Sequence, residues 1–109
     1  MNQADLDKIL DELVRRIVDA VFPRRIVLFG SAARGDMGPD SDLDILVVMP
    51  DGTHRRRTAQ NLYRALLGLG FATDILVVTE SDVRKYREEV SLVLCRALRD
   101  GKEMYRAAA

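Results

Sequence analysis

Two carboxylates set into an apolar run constrain this chain more than anything else in its 109 residues. Across residues 25–48, RIVLFGSAARGDMGPDSDLDILVV, one apolar strand runs into Gly30-Ser31. A loop of small residues and glycines follows, and then a second apolar strand. Asp42 and Asp44 open that second strand two residues apart. Strand side chains alternate faces, so the two aspartates share one face while Leu43 and Ile45 take the other. Asp44 is embedded in Leu43-Asp44-Ile45-Leu46-Val47-Val48, where an unpaired carboxylate is expensive to bury.

A cation is therefore expected beside Asp44. Two hard oxygen donors on one face, opposite a Gly-Ser loop with free backbone N–H groups, fit Mg²⁺ and a polyphosphate. The competing reading is that Asp-x-Asp arises by chance and caps a turn at Pro39-Asp40-Ser41. The Gly30-Ser31 turn just upstream, with strands on both sides, favours the metal.

Composition narrows the class. A chain that is 48% hydrophobic and 31% charged is ordinary globular material, and its length is read as one domain, residues 1–109. Seventeen basic residues balance seventeen acidic ones, so no overall basic field attracts nucleic acid, which weighs against a stand-alone polymerase. Cys95 has no second cysteine to pair with, and the apolar runs are too short to span a bilayer. With no apolar leader at its start, the protein is expected to be cytoplasmic.

Residues 3–21 place Leu6, Ile9, Leu10, Leu13, Ile17, Val18 and Val21 at the spacing of an amphipathic helix, and Pro23 ends it. Residues 26–29 form the first strand. Ser31, Ala32 and Ala33 let backbone approach a ligand, and a short helical turn there turns its amides toward an anion. Arg34 is the nearest cation. It reads equally as a phosphate contact or as a surface partner of Asp36 or Asp40.

At this point the residues resemble a family. Phe29-Gly30-Ser31, ten intervening residues, then Asp42-Leu43-Asp44-Ile45 is similar to the signature of the polymerase-β-like nucleotidyltransferases. The match is closest to their short form, the minimal nucleotidyltransferase (MNT) domain. Ala33-Arg34-Gly35-Asp36 and Ser41 also resemble that subfamily. The family places a third acidic residue on a later strand, and Asp74 in Ala72-Thr73-Asp74-Ile75-Leu76-Val77-Val78 matches it. The resemblance covers nearly the whole chain.

Strand direction follows if these residues share a ligand. Ser31 ends strand one while Asp42 and Asp44 begin strand two, so the pair must run antiparallel. Asp74 begins strand three, so strands two and three must run parallel, which requires a crossover of a dozen or more residues. The segment between Pro50 and Phe71 supplies one. Thr53 is its expected N-cap, Ala59, Leu62, Tyr63, Leu66 and Leu67 its apolar face, and Gly68 and Gly70 its close. The fold class is α/β (α+β), a small mixed sheet with helices packed on it.

The crossover begins His54-Arg55-Arg56-Arg57, cations that oppose the helix dipole without visible structural benefit. They are read as a solvated run, with an acidic partner surface or a nucleic acid as the alternative. His54 is the single histidine, which excludes a Ser-His-Asp triad. After strand three, Thr79 or Ser81 caps a helix whose Arg84, Lys85 and Arg87 are expected near a cleft rim. Residues 90–99 form a short apolar helix with Cys95 in its core, ended by Gly101. Met104-Tyr105 form a last strand or dock loosely, and the end from Arg106 frays.

The resemblance implies chemistry. Asp42 and Asp44 would bridge two Mg²⁺ ions that hold the triphosphate of ATP. Asp74 would complete the second metal site and help deprotonate the acceptor hydroxyl. Gly30 and Ser31 would cradle the β/γ-phosphates, with Arg34 beside them. Larger relatives add an acceptor-binding domain, and about thirty-five residues after Asp74 are too few for one, so another protein is expected to present the acceptor. MNT domains of this kind pair with helical HEPN toxins, and the leading reading is an antitoxin that transfers AMP to a toxin hydroxyl. Two alternatives stand beside it. One is a non-catalytic antitoxin that acts by occlusion, and the other a transferase for a small hydroxylated molecule whose missing wall comes from a homodimer.

Overall fold

A computed structural model describes residues 3–35, 42–88 and 97–108. The order of elements is α1 (Gln3–Val21), β1 (Arg25–Phe29), α2 (Gly30–Arg34), β2 (Leu43–Met49), α3 (Arg55–Ala65), β3 (Thr73–Thr79), α4 (Glu80–Glu88) and β4 (Lys102–Arg106). A further helical stretch occupies residues 97–100. The four strands form one sheet in the order β3-β2-β1-β4. β1 runs antiparallel to both neighbours, and β2 and β3 run parallel, as the shared-ligand argument requires.

α1 occupies the expected span, and the apolar stripe along it explains why. Leu6, Leu10, Leu13 and Ile17 are buried on one face. They meet Ile26 and Leu28 of β1, Leu43, Ile45 and Val47 of β2, and Leu62 of α3. Leu13 is wholly enclosed, so truncating it to alanine should cost about 2–5 kcal/mol. The helix stops before Phe22, which takes the left-handed conformation common just past a helix end, at φ 51°, and Pro23 cannot carry the helix further.

Alternation along the strands builds a second core on the other face. Val27, Leu46, Val48 and Val78 pack there with Val83 of α4 and Ala97. By the same alternation Asp44 and Asp74 project to this side. Gly101 permits the return into β4, since a Cβ there would collide with the Ala97 carbonyl and the Val27 side chain.

The crossover is the expected helix with a different cap. His54 is the N-cap of α3, its Nδ1 accepting from Arg57 N–H at 3.1 Å, while the Thr53 hydroxyl turns back to donate to the Pro50 carbonyl. Arg55 pairs with Asp82 at 3.0 Å, which gives one of the three arginines a structural role. Of the expected apolar face, Leu62 and Leu66 are buried, whereas Tyr63 and Leu67 are exposed. α4 opens with Thr79 and Asp82 in a reciprocal capping box: Thr79 N–H donates to Asp82 Oδ2, and Asp82 N–H to Thr79 Oγ1.

The end of the chain is more ordered than expected. β4 continues through Arg106, and Ala107 N–H donates to the Arg24 carbonyl at 2.8 Å. Cys95, most of the 90–99 helix, and the Asp36, Asp40 and Ser41 readings lie outside the described residues. Among the described residues, no helix is long and apolar enough to cross a membrane.

Candidate active site

Gly30 and Asp44 meet at one end of the sheet. Phe29, the last residue of β1, is the register partner of Asp44, so the chain leaves β1 directly beside that carboxylate. Gly30 has φ 72°, and a Cβ on it would run into Asp44 Oδ2 and lie 3.1 Å from Cγ. Both facts require glycine: the backbone sits in the left-handed region, and the carboxylate fills the space a side chain would take. Ser31 follows in the first turn of α2, half-buried.

Asp74 is brought to the same place by β3. It is the register partner of Asp44 across the parallel ladder, and neighbouring strands lie about 4.8 Å apart. Leu43 N–H donates to the Ala72 carbonyl at 2.9 Å, which ties the start of β2 to the start of β3. Asp74 is exposed and Asp44 half-buried. Asp42 lies one residue before β2 rather than on it, and is exposed.

The electrostatics join the three. The Asp44 pKa is raised above the ordinary carboxylate value, first by desolvation, then by the charges of Asp74 and Asp42, with Arg34 opposing the rise. Such a site is short of positive charge, and its donor set of carboxylate oxygens suits Mg²⁺. Among the described residues no three such side chains converge on one point as they stand.

Arg84, one of the cations expected near a cleft rim, sits away from the carboxylates. It pairs with Asp51 at 3.1 Å, beyond the far end of β2 and about 20 Å along the strand from Asp44. Tyr63, read from the sequence as part of an apolar helix face, instead places its hydroxyl 3.1 Å from Ile75 N, next to Asp74. An aromatic hydroxyl near the end of a crossover helix was the available signal.

The model of the nucleotidyltransferase domain family matches residues 6–103. The chain belongs to this family. Solved structures agree with the fold of this nucleotidyltransferase. A candidate minimal nucleotidyltransferase superposes with TM-score 0.65 at 24% identity, covering 94% of this chain and 95% of that one. A chain of a toxin–antitoxin complex with AMP-PNP gives 0.55 at 27% identity, covering 90% and 73%. A chain of the complex between tri-AMPylated HEPN toxin and MNT antitoxin from Shewanella oneidensis gives 0.53 at 24%, covering 93% and 72%. No curated protein matches the chain.

Proposed function

We propose that this nucleotidyltransferase moves AMP from ATP to a hydroxyl of a partner protein, a HEPN-type toxin. The observation that carries the reading is the registered pair Asp44–Asp74 with Gly30 held against it. Asp42, Asp44 and Asp74 would hold Mg²⁺, which when bound supplies charge neutralisation for the triphosphate and for the leaving pyrophosphate. Gly30 and Ser31 offer backbone N–H groups to the β/γ-phosphates, and Arg34 adds a cation on the same side. Asp74 takes the proton of the acceptor hydroxyl as its oxygen attacks the α-phosphorus and the bond to pyrophosphate breaks. Its exposure supports an acceptor that arrives from solution. The 27% identical toxin–antitoxin chain, solved with AMP-PNP, supports the choice of an adenine nucleotide and of a toxin as partner.

The test is the intact mass of a co-expressed HEPN-type partner after incubation with Mg²⁺ and ATP. A gain of one or more adenylyl groups is expected. Asp74→Asn should keep most ATP binding and lose transfer by orders of magnitude. An unchanged partner mass combined with stoichiometric suppression of its activity would replace transfer by occlusion.

A further inference from the structure

β3 is an edge strand, so every second amide along it has no partner in the ladder. Ile75 N–H is one of these, and it belongs to the peptide bond that joins Asp74 to Ile75. The Tyr63 hydroxyl accepts from it at 3.1 Å. The peptide that carries Asp74 is therefore held on one side by the ladder to β2 and on the other by a side chain of the crossover helix. Tyr63 is 44% exposed, while the adjacent Leu62 is wholly buried and does the packing at this point of α3. The phenol contributes its bond more than its bulk.

The bond has a mechanical task. Asp44 and Asp74 carry like charges side by side, and Asp74 sits on the second residue of its strand, where strand ends open most easily. Repulsion drives the start of β3 away from β2, and a side-chain anchor on the outer edge resists that movement.

We infer that Tyr63 is a positioning residue for Asp74, fixing the peptide so that its carboxylate stays opposite Asp44 and the pair keeps the spacing needed to share a divalent cation. This rests on the reading of the two carboxylates as metal-holding groups. Tyr63→Phe removes the hydroxyl alone and, at an exposed position, leaves the fold standing.

Three readouts test it, with Mn²⁺ as the probe and neither nucleotide nor acceptor present. In the metal-free protein, hydrogen exchange at Ile75 should speed by tenfold or more in Tyr63→Phe, with Leu46 and Val47 unchanged. Mn²⁺ affinity should fall about tenfold, the lower end of what loss of an outer-shell partner costs a metal site. In an Asp74→Asn background, Tyr63→Phe should cause no further loss of affinity. A generally structural tyrosine would instead lower the melting temperature, speed exchange through the core and weaken Mn²⁺ binding equally in both backgrounds; that result overturns the inference. Unchanged Mn²⁺ affinity despite faster exchange at Ile75 overturns it as well, leaving the carboxylate assignment intact. Wild-type protein with no Asp74-dependent Mn²⁺ binding would overturn that assignment and the role of Tyr63 with it.

Discussion

Asp44 and Asp74 are register partners on adjacent parallel strands, with their carboxylates on the same side of the sheet. Burial and the neighbouring negative charges raise the Asp44 pKa, so the folded protein holds that proton more tightly than the unfolded chain does. Stability from this group is therefore greatest at low pH. It declines as pH rises from the ordinary carboxylate value through the folded one. Asp44→Asn should melt higher than wild type at pH 7 in a chelator, and the gap should close below the ordinary carboxylate range. The same variant should lose Mg²⁺-dependent ATP binding in calorimetry. A lower melting temperature at pH 7 would contradict the charge-repulsion account.

Gly30 is tested by the smallest possible side chain. Gly30→Ala must place a Cβ where Asp44 Oδ2 lies, in a backbone region that costs an L-residue about 1–2 kcal/mol. Both stability and nucleotide affinity should fall. Ser31→Ala should remove one hydroxyl contact of about 1 kcal/mol and leave the melting temperature nearly unchanged. Thermal melts and ATP titrations of the two variants side by side decide the matter.

Glu12 gives the fold an acid-sensitive contact. Its carboxylate binds Arg15 and Arg16, and hydrogen bonds to Arg15 first and Arg16 second lower its pKa from 4.5 to about 2. A depressed folded pKa means stability that is present above 4.5 and lost as pH falls toward about 2. Being exposed, the contact is small and screened by salt. Glu12→Gln should melt slightly below wild type at pH 7 and match it once the pH has fallen to about 2, and carboxyl NMR should report the low midpoint directly.

Phe22 bears the cost of the turn before Pro23. It has φ 51° and is 75% exposed, so little packing offsets the strain. Asparagine tolerates the left-handed region better than a large aromatic residue. Phe22→Asn should raise stability by about 0.5–1 kcal/mol, a fraction of the usual left-handed penalty, measured by urea titration. Destabilisation would mean that the ring packs in solution.

The sequence carried most of the frame because its strongest constraints were local or shared. The period of α1 and the Gly30-Ser31 turn are local. The directions of β1, β2 and β3 came from requiring Ser31, Asp44 and Asp74 to meet, a condition that few sheets satisfy. What escaped was a choice between two neighbouring caps and contacts distant in sequence. Thr53 and His54 are both plausible caps, and the choice fell to His54 while Thr53 bonded back to Pro50. Arg84 is read from the sequence only as near a cleft rim, and its partner Asp51 sets it at the end of β2 opposite the carboxylates. The bond of Ala107 to Arg24 ties the end of β4 to the start of β1, and no pattern in the last residues announces it.

The outer edge of β3 also bears on how the molecule meets other chains. Amides of alternate residues point outward there, and an open row of them is a template on which a foreign strand can add. Tyr63 takes the amide of Ile75 and Asp82 takes that of Thr79, so the row is stoppered near both ends. A strand approaching from solution would have to displace a phenol and a helix cap before it could pair. Two side chains thus stand in the way of sheet extension beside Asp74, while the carboxylate itself stays exposed to solvent.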